Sequence, residues 1–159
     1  MSGAKNVTAN DIDKHALEAV KMNLAMNSNT SINMADITRH HQILSNNFFL
    51  NDKNFLTLEK RQLHILMETV MYNPIDVLTL GDMFYDEEIV ELIFQWMSLW
   101  IKIFPQTRIF LGDPGRGFIN QHQIFKHLKT VQVYEMPACV NKEHYSCGSV
   151  SVLEWNPTF

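Results

Sequence analysis

The chain has 159 residues, 46% of them apolar, and a formal net charge of −4. That is one domain's length with apolar content enough for a core, which excludes disorder as the default reading. No basic run exceeds Lys60-Arg61, so a nucleic-acid footprint is excluded, and an acidic protein suits a partner that presents lysines.

Cys139 and Cys147 stand in no metal-ligand spacing and follow no secretory signal, so both read as reduced, structural thiols of an intracellular protein. The opening residues, Met1 to Asn6, form neither an apolar signal core nor an Arg-rich transit helix.

Asn6 to Asn10 reads as a strand, and Asp13 as the N-cap of a helix over 14–27 with Leu17, Val20 and Leu24 facing inward. After the breaker Asn27-Ser28-Asn29, Ser31 to Ala35 is a second short strand ending at Asp36. The Asn- and His-rich stretch from Thr38 to Asn54 is the one candidate for a disordered loop. A helix from Thr57, its N-cap, to Met71 is expected next, stopped by Asn73-Pro74.

Ile75 to Leu80 is the third strand, and about 86–104 a packed helix stopped by Pro105. In that helix Glu91, Gln95, Ser98 and Lys102 fall on one stripe, with Ile93, Trp96, Trp100 and Phe104 around the rest. It is shorter than the ~20 residues of a bilayer span, so no membrane anchor is expected, and Trp96 and Trp100 are core against a sheet. Thr107 to Leu111 is the fourth strand and Gln121 to Lys129 a helix, which puts His122 and His127 on different, exposed faces. The extended runs 130–136 and 148–155 close the chain as a hairpin. Strands alternating with helices predict βαβ units, a parallel sheet and right-handed crossovers. His40-His41 and His64 have no ligand spacing around them, so no metal site is expected.

Three strand ends carry acids: Asn10-Asp11-Ile12-Asp13, Gly81-Asp82-Met83-Phe84-Tyr85-Asp86 and Gly112-Asp113-Pro114-Gly115-Arg116. Ligands of open α/β sheets sit beyond the carboxyl ends of strands, so Asp11, Asp82 and Asp113 are expected to share one rim. Each acid also has a plainer reading. Asp11 can cap the following turn, Asp82 can cap the 86–104 helix, Tyr85 can be a core aromatic, and Asp113-Pro114-Gly115 is a good turn by itself. An acid such as Asp11 commonly takes ribose hydroxyls about 20 residues after a Gly-rich turn. No Gly-x-Gly precedes Asp11 here.

Together, Asn10-Asp11-Ile12-Asp13 with Ala16, Asn23 and Asn27, Leu80 to Asp86, and Leu111 to Arg116 resemble the seven-β-strand S-adenosylmethionine-dependent methyltransferases. Within them the match is to the protein-lysine branch that modifies the electron transfer flavoprotein beta subunit. The resemblance covers residues 1–37 and 75–159, and residues about 38–73 look like an insertion. It implies a Rossmann-like α/β domain over 1–159 that lacks its first strand and Gly-rich loop. It also implies S-adenosylmethionine as methyl donor, electron transfer flavoprotein beta subunit as protein substrate, and the mitochondrial matrix as location, with the cytoplasm as the alternative for a chain without a transit peptide.

By position, Asp11 would bind the ribose and Asp36 approach the adenine amine. Asp82 and Tyr85 would line the channel for the substrate lysine, with Phe84 supplying a second aromatic face for the amine. Asp113 and Arg116 would shape the substrate side. A carboxylate can orient an amine, and aromatic faces hold methylammonium groups through cation–π contacts. Lacking the loop, the chain is expected to be a truncated product that binds cofactor poorly by itself. The rival expectations are a same-branch enzyme with another protein substrate, and a non-catalytic fragment that only binds partners.

Overall fold

The computed structural model describes residues 4–27, 43–45, 48–52, 54–57, 75–115, 117–137 and 148–157. The expected strand 31–35 with Asp36, the helix beyond Thr57, Arg116, both cysteines, His40, His41 and His64 lie outside them. Two units divide the chain, Met1–Thr57 and Leu58–Phe159.

In the first unit β1 (Val7–Asn10) leads into α1 (Lys14–Asn27), followed by β2 (Ile43–Ser45) and β3 (Phe48–Asn51). Asp13 opens α1 as expected, its Oδ1 accepting the His15 N–H at 2.8 Å. Leu17 is buried, with Val20 and Leu24 half-buried on the same side. The reading of 38–54 as a loop is corrected. β3 pairs parallel with β1, Val7 to Phe48 through Asn10 to Asn51, and antiparallel with β2. Leu50 and Asn51 are buried, so this short strand belongs to the packed interior. Thr57 closes a 3-10 turn (Phe55–Thr57) in which Asn54 Oδ1 accepts the Leu56 N–H at 3.2 Å.

The second unit holds β4 (Val77–Gly81), α2 (Glu87–Ile103), β5 (Arg108–Asp113), α3 (Phe118–Gln121), a 3-10 segment (Gln123–His127), β6 (Leu128–Glu135) and β7 (Ser149–Trp155). Its sheet runs β4-β5-β7-β6, with β4 and β5 parallel and β7 antiparallel to both neighbours. The sheet is therefore mixed. β6 and β7 are adjacent and antiparallel as expected, but β7 takes the inner place and β6 the edge.

Burial explains that order. Leu153 and Trp155 of β7 are buried, whereas every residue of β6 from Lys129 to Glu135 is exposed. β5 alternates with Ile109, Leu111 and Asp113 buried, opposite Leu78 and Leu80 of β4 in register. The apolar side of α2 is Val90, Ile93, Trp96, Met97 and Trp100, all buried at helical spacing. Trp96 and Trp100 contact each other (centroids 4.9 Å apart), and Trp100 contacts Phe104 (5.3 Å). Among the described residues, no helix is long and apolar enough to cross a membrane.

The segment after β5 departs from the expected helix. A four-residue α3 gives way at His122, whose backbone is extended (φ −91°, ψ 151°), to a 3-10 segment. His122 and His127 both turn onto Phe94 of α2, with centroids 5.5 Å and 6.1 Å away, and His127 also meets Trp155 at 5.4 Å. Neither is the surface residue that helical spacing implied.

Candidate functional site

β4 and β5 deliver their ends to one place. Gly81 pairs with Gly112 in register, and the Asp82 N–H donates to the Gly112 carbonyl at 3.0 Å. Asp82 and Asp113 thus leave the sheet side by side, at the carboxyl end of a parallel pair.

The two acids then differ. Asp82 is half-buried and adopts φ 47°, the left-handed region that an Asp tolerates better than most side chains. Residues held there cluster at functional sites, where surrounding structure over-determines them. Asp82 does not cap α2. Asp86 does, its Oδ1 accepting from Glu88 N at 2.8 Å and Ile89 N at 3.4 Å. Its signal in the sequence was an Asp directly before Glu87-Glu88, acids that suit a helix start.

Between these acids Phe84 and Tyr85 point apart. Phe84 is 1% exposed and Tyr85 is 52% exposed. The expectation that Phe84 offers a ring face to substrate is corrected: its ring is covered by the core and anchors the turn. The alternative that Tyr85 is a core aromatic fails for the opposite reason.

Asp113 is only 7% exposed, and its Oδ1 accepts the Gly115 N–H at 3.0 Å. That contact bends the chain back after β5, through Gly115 and Gly117 at φ +86° and +87°, conformations that glycine adopts without strain. Asp113 therefore holds the loop, as the turn reading had it.

The first unit has its own rim. The carbonyl of Asn51, at the end of β3, accepts from the Asp11 N–H at 3.1 Å and from Asn10 Nδ2 at 3.0 Å. Asp11 is exposed, and its Oδ1 accepts the Asp13 N–H at 2.9 Å, so one carboxylate oxygen braces the turn. The acid at the neighbouring strand end is Asp52, half-buried, which sequence reasoning missed. Its signal was the apolar run Phe48-Phe49-Leu50 ending in Asn51-Asp52.

A polar cluster joins α2 to the 3-10 segment. Glu91 Oε1 accepts from Gln95 Nε2 at 2.6 Å and Glu91 Oε2 meets His122 Nε2 at 2.7 Å. His122 Nδ1 accepts the Ile124 N–H at 3.1 Å, so Nε2 carries the ring proton and donates it to Glu91. The Gln95 bond, then the His122 bond, hold the Glu91 carboxyl below its ordinary value. Among the described residues, no group of three or more His, Cys, Asp or Glu could hold a metal ion.

Comparison with known proteins gives this geometry its context. No family model matches the chain. A Caenorhabditis elegans protein named "Electron transfer flavoprotein beta subunit lysine methyltransferase homolog" is 31% identical over 158 residues, covering 96% of this chain and 59% of the relative. The Xenopus laevis and Homo sapiens proteins named "Electron transfer flavoprotein beta subunit lysine methyltransferase" are each 29% identical over 99% of this chain, covering 52% and 49% of those relatives. The chain is similar in sequence to these proteins. It spans about half the length of the curated relatives it matches.

Proposed function

We propose that this chain contributes to a protein-lysine N-methyltransferase that uses S-adenosylmethionine and acts on the electron transfer flavoprotein beta subunit. The observation that carries the reading is the β4 end: a left-handed Asp82 three residues before an exposed Tyr85, next to the end of parallel β5. The relatives' shared name supports the substrate. The mitochondrial matrix, which the sequence resemblance implies, is the proposed location.

The donor set at the first rim fits such a cofactor. Asp11 is an exposed carboxylate at the end of a parallel strand, suited to accept from ribose hydroxyls. The strand paired parallel with β1 is followed by Asp52, a half-buried carboxylate that is a second candidate, beside the Asp36 of the resemblance, to approach the adenine amine. S-adenosylmethionine supplies, when bound, a methyl group on a positively charged sulfur.

The chain's own residues do the rest. The Asp82 carboxylate accepts a hydrogen bond from the ε-amine of the substrate lysine and aims its lone pair. The Tyr85 ring lies along the aliphatic stem and favours the cationic methylated product through its face, worth roughly 0.5–2 kcal/mol. The buried Phe84 and the cap at Asp86 fix the loop that carries both, so positioning is set before substrate arrives. A bound cofactor would give its methyl group to that amine and keep the sulfur's electron pair, while Asp82 holds the amine as its proton leaves to solvent.

The test is incubation of the protein with S-adenosylmethionine and purified electron transfer flavoprotein beta subunit, read by peptide mass spectrometry. Methyl groups on lysines of that subunit are expected. Methylation confined to other proteins of a mitochondrial lysate would reassign the substrate. No lysine methylation at all, despite cofactor binding by calorimetry, would remove the catalytic reading.

A further inference from the structure

The four-stranded sheet ends at β6, and the outer side of that strand has no neighbour among the described residues. Edge strands are ordinarily guarded by charge, proline or a bulge. This one has a bulge, since β7 pairs with every β6 residue except Val131. What the irregularity turns outward is a valine, and Val131, Val133 and Tyr134 are 47%, 48% and 58% exposed. Proline is absent from the strand, and its charges sit only towards the ends, at Lys129 and Glu135.

Read against itself in the reverse direction, the strand is complementary. With Gln132 at the centre, Lys129 faces Glu135, Thr130 faces Tyr134, and Val131 faces Val133. A two-fold pairing makes each of these contacts twice. Opposite charges and β-branched pairs are the cross-strand neighbours that stabilise antiparallel ladders. An unrelated strand would have to match this pattern by chance, whereas a second copy matches it by symmetry.

We propose that β6 pairs antiparallel with β6 of a second copy of this chain, about a two-fold axis at Gln132, joining two sheets across their edges. A strand edge buries less than a standard interface, and the bulge shortens the regular ladder. The dimer is therefore weak and concentration-dependent.

Sedimentation velocity of the purified chain over a wide concentration range tests this, with near-UV circular dichroism as the check on folding. Wild type is expected to shift from monomer towards dimer as concentration rises. E135K and K129E each set like charges opposite each other twice, and each should weaken association by about tenfold or more. An equimolar mixture of the two variants sets new lysine against new glutamate and should restore the dimer, which no loss of folding could do. A wild-type chain that stays monomeric throughout overturns the proposal. So do variants that associate like wild type, and a mixture that stays monomeric.

Discussion

At the end of β4, Asp82 takes φ 47° and is followed by a tyrosine that is 52% exposed. At the end of β5, Asp113 is 7% exposed and spends its Oδ1 on the Gly115 N–H. Both ends are written Gly-Asp, and in register they are neighbours. Their environments divide the labour. The β5 acid is built into the loop that supports the rim, and the β4 acid stands half-buried on a left-handed turn. Nearby acids of the same type take different roles when one is buried against a backbone donor and the other sits on a strained, half-buried turn.

The aromatic pair beside Asp82 is the strongest way to break this comparison. Phe84→Ala should cost about 3–5 kcal/mol of stability, because a ring at 1% exposure leaves a cavity in the core. Tyr85→Ala should stay within about 0.5 kcal/mol of wild type in urea unfolding while lowering lysine methylation. The reverse pattern would mean that the anchor and the working aromatic are misassigned.

Next in size is Asp82 itself. Asp82→Asn keeps a side chain that tolerates the left-handed region and removes the charge. Methyl transfer should fall about 100-fold with the melting temperature unchanged. Asp113→Ala should do the opposite, costing about 1–3 kcal/mol for the lost acceptor in a buried turn and changing the rate less than Asp82→Asn does. Equal losses of rate in both variants would erase the distinction between the strand ends.

The sequence carried much of this architecture where it is local. The β4 and β5 runs, α1 with its Asp13 cap, and the buried side of α2 follow from period and punctuation within a few turns of chain. The failures are non-local or depend on a change of helix type. β3 is four residues inside an Asn-rich stretch, and its place is decided by partners 41 residues earlier, a separation no window of sequence displays. The inner position of β7 likewise depends on pairing with β5 rather than on its own letters. Counting along one helix puts His122 and His127 on different faces. The chain is extended at His122 and 3-10 after it, so that count does not apply. Of the site, the acids Asp11, Asp82 and Asp113 were legible as strand ends. That Phe84 is anchor and Tyr85 exposed was not, because adjacent aromatics in a turn carry no period.

The smallest expected effect concerns the contact of α2 with the 3-10 segment through Glu91, Gln95 and His122. His127 and Phe94 pack beside them, and Lys126 in the same segment is exposed. Bonds from Gln95 first, and then His122, lower the Glu91 carboxyl from its ordinary value. A carboxyl lowered by folding contributes stability that is present above the unfolded carboxylate range, near 4.3. That contribution is lost as pH falls through the lower folded value. Glu91→Gln should therefore flatten the acid side of a melting-temperature profile below about pH 5 and leave pH 7 nearly unchanged, since the side chain is 42% exposed and the pair is screened. It should leave methyl transfer at the β4 end unaltered, because Glu91 supports the 3-10 segment and not the acidic rim. An acid limb as steep as wild type's would show that the Glu91–His122 contact does not stabilise the fold.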